Sequence, residues 1–230
     1  MNEYEKPGFY NADCMDAMRQ FPDGFFDLAI VDPVYGDVTQ GGYMTHNHGQ
    51  HIGTGKANQK GYHAGLWQQE KTGVGYFAEL RRVSQNQIIW GGNYFADMLP
   101  ASQGYIVWDK VHPDGIVFAD CELAWTSFDK ATRIFRYMWN GMLQGDMKHK
   151  ENRIHPTQKP VRLYEWLLKN YAKPGDKILD THVGSASSLI ACHRGGYEYW
   201  GFEIDGTYYK MAKERLDRER AQVSIFDISG

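Results

Sequence analysis

Three carboxylates in this chain stand where an apolar run ends: Asp32 after Leu28–Val31 in LAIVDPVYGD, Asp180 after KIL, and Glu203 in GFEID. Pro33 and Tyr35 follow the first. A buried strand has no structural need to end in a carboxylate beside an aromatic ring, although a helix cap or a turn accounts for such a tetrapeptide in many proteins. Asp180 opens onto THVGSASS, a glycine turn before a helix, the arrangement that holds a nucleoside cofactor. The small residues Gly184, Ser185 and Ala186 allow close backbone approach, and Glu203, one strand later, can accept both hydroxyls of a ribose. A tight turn before a capped helix explains the same stretch with no ligand.

Other chemistries fail on spacing. The GxGxxG pattern breaks after Gly53 and Gly55, which no strand precedes, and a phosphate loop breaks because Lys56 is followed by alanine. A ribose-bearing cofactor without a pyrophosphate fits better. His46, His48 and His51 spell HxHxxH, but glycine-rich flanks offer ligands no rigid support, so no metal is expected. Cys14, Cys121 and Cys192 are odd in number and far apart, which suits reduced thiols in a cytoplasmic protein.

The elements that must position these residues alternate. GFYNAD, FFDLAIV, QIIWGG, YIVWDK, CELAWTSF, KILD and YEYWGFEID read as strands, and RIFRYMW (Arg133–Trp139) as an edge strand. MDAMRQF, VRLYEWLLKNYA, the run after the Gly184 turn and TYYKMAKERLDRERA read as helices. FFDLAIV is apolar almost throughout, as a strand covered on both faces should be. The pattern predicts an α/β fold, a mostly parallel sheet in one domain spanning 1–230. Gly36–Gly75, rich in Gly, His, Gln and Asn, reads as a long functional loop.

In order along the chain, NAD (Asn11–Asp13), DPVY (Asp32–Tyr35), HPTQKP (His155–Pro160), DTHVGSAS (Asp180–Ser187) and GFEID (Gly201–Asp205) resemble the amino-group DNA methyltransferases. The resemblance is to their permuted class, in which the catalytic motif precedes the cofactor motif. It covers Gly8–Gly36 and Asn152–Leu216, and touches the middle through IIWGGNYF and IVWDK. It implies a Rossmann-like S-adenosylmethionine-dependent methyltransferase fold, a mixed and mostly parallel twisted sheet with helices on both faces. It also implies methyl transfer from S-adenosylmethionine to an exocyclic amine of a base flipped out of duplex DNA. An aryl amine is a poor nucleophile, so acceptors must favour a pyramidal nitrogen and offset the charge developing there. Asp32 and the Pro33 carbonyl would supply them, and Tyr35 would stack on the base. Asp180, Thr181, His182, Gly184 and Ser185 would surround the methionine part of the cofactor, with Lys159 on its other side. Glu203 would take the ribose hydroxyls and Asp13 the adenine amine; a snorkelling lysine and a helix cap are the plainer readings of Lys159 and Asp13. Aspartate at position 32 goes with N6-adenine in this family more often than with N4-cytosine.

The chain departs from the family pattern at Val34, which replaces a second proline, at His182, which replaces an aromatic, and at Ala186, which replaces a glycine. Those changes keep alive a weakened homologue or a non-catalytic DNA- or cofactor-binding module; methylation of RNA or of a protein amide is a third reading. The net charge of −3 gives no global pull toward nucleic acid. Contacts with DNA would fall to a short target-recognition region, 131–153, completed by the Gly36–Gly75 loop or a partner subunit; its Arg133, Arg136, Lys148, Lys150 and Arg153 taken alone read as a solvated charge run. No apolar run is long enough to cross a bilayer. Monomer and homodimer both stay open.

Overall fold

The computed structural model describes residues 3–35, 71–112, 119–140 and 143–222. Most of the Gly36–Gly75 segment, and with it His46, His48 and His51, lies outside the described residues.

Eight strands form one sheet in the order β1-β10-β9-β2-β3-β5-β4-β6. These are β1 (Gly8–Asn11), β2 (Phe26–Val31), β3 (Ser84–Trp90), β4 (Tyr105–Asp109), β5 (Cys121–Thr126), β6 (Arg133–Arg136), β9 (Lys177–Asp180) and β10 (Glu198–Glu203). Every pairing is parallel except the two made by β5, so the sheet is mixed and mostly parallel. β7 (Trp139–Asn140) and β8 (Leu143–Gln144) make a separate antiparallel pair.

Strand side chains alternate between two cores because successive residues of a strand point to opposite faces. Leu28, Ile30, Ile88, Trp90 and Ile178 enter one core with α3 (Val161–Tyr171), α4 (Ser187–Gly195) and α5 (Gly206–Arg220). Ala29, Val31, Ile89 and Leu179 enter the other with α1 (Cys14–Met18) and α2 (Val74–Val83). In α3, Val161, Leu163, Tyr164, Leu167, Leu168 and Tyr171 are buried at helical spacing, each large side chain contributing roughly 1.5–3 kcal/mol. Helices therefore cover both faces, as expected.

Two sequence assignments change. Gly73 starts α2, so the loop predicted to reach Gly75 ends in a helix; α2 then runs into β3 without a connecting turn, three residues earlier than QIIWGG suggested. The edge strand stops at Arg136, and Trp139 passes to the β7–β8 pair, where its indole donates to the Gln158 carbonyl at 2.9 Å.

Candidate active site

Between β9 and β2 the connections diverge: β9 returns through α4 on one face to β10, and β2 through α2 on the other to β3. A parallel sheet opens a crevice at such a switch point, at the carboxyl ends of its strands. Asp32, Asp180, Glu203 and Asp13 stand at or just past the carboxyl ends of β2, β9, β10 and β1, four adjacent strands spaced by ~4.8 Å. The carboxylates read separately from sequence share one edge.

Both oxygens of Asp32 are engaged. Tyr35 donates its hydroxyl to Oδ1, and the Lys159 ammonium donates to Oδ2. The Lys159 side chain is only 3% exposed, and it also meets Glu122 Oε2 at 3.1 Å; Lys110 closes the far side of Glu122 at 2.7 Å. Burial works against the Lys159 charge, but Asp32 and Glu122 outweigh it and hold its pKa above the ordinary lysine value. Burial likewise opposes ionisation of Glu122, yet the two lysines bring it down to about 2. Burial, and then the Asp32 charge, push the Tyr35 phenol well up, so it stays a donor. The Tyr35 ring stacks on Tyr94 at 4.8 Å. Gly91 has φ +69, and a β-carbon there would lie 2.2 Å from the Tyr35 ring, so both the turn and the close approach require glycine.

On the other side of the crevice, Glu203 accepts the backbone N–H groups of Gly184 and Asp205, each at 2.9 Å. Its carboxylate is thus bound to the turn after β9, with Gly184 at φ +56 and Ala186 at φ +62. Asp180 is buried, accepts from the Ser188 hydroxyl and the His182 N–H, and is lifted by burial to about 7. Thr181 shares a hydrogen bond with Tyr76 of α2 at 2.6 Å and another with His182 Nδ1 at 2.9 Å. Burial holds His182 down near 4, so it is neutral. Ser185 gives its carbonyl to Arg215 at 2.7 Å, and Arg215 also meets Ser187 Oγ and Glu151. Asp13 caps α1, accepting from Met15 at 2.7 Å and Asp16 at 3.4 Å, worth about 1 kcal/mol.

HPTQKP joins the two sides. His155 is buried against Tyr208 at 4.3 Å, and its ring lies 3.6 Å from where a side chain at Gly184 would begin; Lys159, four residues on, holds Asp32. The structure places the Lys159 ammonium on Asp32, at the β2 end of the crevice. Sequence reasoning missed Glu122, Lys110, Tyr94, Tyr76 and Arg215 as site residues. Lys110 and Tyr94 lie inside motifs already noted, IVWDK and GGNYF; Glu122 is a lone acid in an apolar strand, which is a signal in itself. Tyr76 and Arg215 carry none. Among the described residues no group of three or more His, Cys, Asp or Glu could hold a metal.

Comparison with known proteins bears on the fold and on the family. Residues 124–214 match the family described as DNA methylase, N6/N4 type. A 71-residue stretch is 41% identical to type II methyltransferase M.HpaI of Haemophilus parainfluenzae, covering 31% of this chain and 23% of that protein. Another, of 63 residues, is 38% identical to DNA adenine methyltransferase YhdJ of Escherichia coli K12, covering 27% and 21%. The matched stretches span less than a third of those relatives' lengths. Among solved structures, the M1.HpyAVI–SAM complex superposes with a TM-score of 0.52 at 20% identity, covering 90% of this chain and 98% of that one. PvuII DNA methyltransferase (cytosine-N4-specific) superposes at 0.59 with 13% identity, covering 98% and 93%; both likenesses concern the fold.

Proposed function

We propose that this chain is a DNA methylase of the N6-adenine/N4-cytosine type, a reading supported by the match over residues 124–214 and by its relatives, and that it transfers a methyl group from S-adenosylmethionine to the N6 amine of an adenine extruded from duplex DNA. The observation that carries the reading is the shared edge: Asp32 and Glu203 flank β9 at one crevice, with Asp180 between them. The cofactor supplies a methyl carbon on a positively charged sulfur, which leaves as a neutral thioether carrying the bond's electron pair. Asp32 accepts a hydrogen bond from the attacking amine, which concentrates the lone pair on nitrogen; once the N–C bond has formed, the nitrogen passes a proton to Asp32, which releases it to solvent. To do so Asp32 must exchange the Tyr35 hydroxyl for the amine, which leaves the Tyr35 ring free to stack on the base. Glu203, already aligned by two backbone N–H groups, takes the ribose hydroxyls.

Adenine is favoured over cytosine by the aspartate at position 32, and a relative named as an adenine methyltransferase is in keeping with it. For target recognition we assign 131–153. Arg133, Ile134 and Arg136 of β6 are exposed, as are Leu143, Met147, Lys148, His149 and Lys150 beside the β7–β8 pair, a basic surface with apolar side chains between the charges. Phosphate contacts from these cations make binding fall with salt. Among the described residues no helix is long and apolar enough to cross a membrane.

The test is to incubate the purified chain with duplex DNA and labelled cofactor, digest to nucleosides and identify the product by mass. N6-methyladenine supports the reading, N4-methylcytosine moves it to the other amine, and unlabelled DNA defeats it.

A further inference from the structure

Asp32, Lys159, Glu122 and Lys110 form a line of alternating charge that runs from the buried crevice toward the end of β4. They come from four elements: the β2 tip, the segment before α3, β5 and the end of β4. Register brings Glu122 there, because β5 runs antiparallel and pairs Glu122 with Trp108, two residues before Lys110. Helix capping, packing and backbone pairing have no use for a carboxylate at this place. Its two oxygens are divided between two ammonium groups, Lys110 at 2.7 Å and Lys159 at 3.1 Å.

We propose that Glu122 is a positioning residue for methyl transfer, which divides the Lys159 ammonium between two carboxylates and so leaves Asp32 a strong enough acceptor to hold the amine. The inference rests on the reading of Asp32 given above. A carboxylate that alone neutralises a buried ammonium is a weaker acceptor than one sharing it, because the cation polarises its lone pairs away from any further donor. Lys110 sets the balance from the far side, since every increase in its hold on Glu122 returns Lys159 to Asp32. The groups facing Lys159 and Asp32 from the surrounding elements are Tyr35, Tyr76 of α2, His155, Tyr164 of α3, Asp180 of β9 and His182. Lys159 and Glu122 meet directly at 3.1 Å.

The experiment follows rate and Lys159 titration together in the full chain, in wild type, Glu122→Gln and Lys110→Met. Lys159 is observed by NMR of carbon-13-labelled lysine, assigned with Lys159→Arg, and needs neither DNA nor cofactor. In Glu122→Gln we expect kcat to fall about tenfold with KM little changed, less than the roughly hundredfold or greater loss when a group touching developing charge is removed. Lys159 should then titrate at lower pH. Lys110→Met should shift the Lys159 titration the opposite way and leave kcat at or above the wild-type value, whereas a lower kcat in this variant contradicts the division of charge. Unchanged Lys159 titration in both variants overturns the proposal, as does a Glu122→Gln enzyme with wild-type kcat. If Glu122→Gln does not fold, Lys110→Met decides by the direction of its shift. A wild-type chain that methylates nothing defeats the proposed function instead, and leaves the titration to judge the charge line by itself.

Discussion

The ammonium of Lys159 sits on the carboxylate of Asp32, 127 residues earlier in the chain, and this contact closes the β2 end of the crevice. Nothing near either residue in sequence announces the other. Lys159 is buried between Asp32 and Glu122, both half-buried, so removing either carboxylate leaves the ammonium under-compensated in a poorly solvated place.

Asp32→Ala should therefore act on chemistry and on its neighbour at once. We expect methyl transfer to fall by about 10²–10³ or more, the range for losing a group that faces developing charge. Cofactor binding should change little, because Glu203 and the Gly184 turn are held by their own hydrogen bonds. Single-turnover kinetics beside equilibrium cofactor titration checks both parts; full turnover in the variant would remove Asp32 from the mechanism.

Tyr35 has two separable functions, a ring and a hydroxyl. Tyr35→Phe keeps the ring against Tyr94 and releases the bond to Asp32, so kcat/KM should stay within about tenfold of wild type. Tyr35→Ala loses the stacking surface, worth about 1–3 kcal/mol per base, and should drop kcat/KM roughly ten- to a hundredfold. Equal losses in the two variants would mean that the hydroxyl, and not the ring, is what matters.

Asp180 makes the free protein sensitive to pH. Its carboxyl is lifted by burial, with Asp32 and Glu203 adding to the effect, to about 7, against an ordinary value of about 3.9. The folded state thus binds this proton more tightly than the unfolded chain. The resulting stability is full below about pH 4 and is lost as pH rises through about 7. Asp180→Asn should stabilise the free protein more at pH 8 than at pH 5 in urea melts. Binding of a cationic cofactor beside Asp180 should release a proton between about pH 5 and 7 and almost none at pH 9. Calorimetry in two buffers of different ionisation enthalpy reads that proton directly.

Arg215 holds the Gly184–Ala186 turn from behind, through the Ser185 carbonyl and the Ser187 hydroxyl, while Glu151 anchors it and Gln144 of β8 binds the Glu151 backbone. Arg215→Met should weaken cofactor binding by about tenfold or more, the consequence of one or two lost charge-assisted bonds. The rate at saturating cofactor should be largely kept. A drop in kcat with unchanged cofactor affinity would contradict this placement.

Ala186 occupies a left-handed conformation at the start of α4 and is fully buried. Relief of that conformation in Ala186→Gly is worth roughly 1–2 kcal/mol. The lost methyl costs about 0.8 kcal/mol, and the added freedom of the unfolded glycine a further ~0.4–1 kcal/mol. The terms nearly cancel, so Ala186→Gly should change stability by less than about 1 kcal/mol. Ala186→Val, β-branched in the same conformation, should be far worse. A large gain from glycine would show that the alanine is a real defect in the turn.

How much of this was legible in the chain itself differs from residue to residue. Asp32, Asp180 and Glu203 each end an apolar run, and the Gly184 turn announces its own conformation, so local patterning found them together with the strands that carry them. The parallel α/β class followed for the same reason, since buried strands and amphipathic helices write their periods into consecutive residues. α2 escaped because a helix begun by Gly73 with no side-chain cap lacks the usual starting signal. What only the folded chain decided is adjacency. The strand order set β9 between β2 and β10, the reversed direction of β5 carried Glu122 to the same edge, and HPTQKP folded back to lay Lys159 on Asp32. Coulombic attraction and shared burial depend on distance in space, and residues 127 positions apart carry no local trace of it.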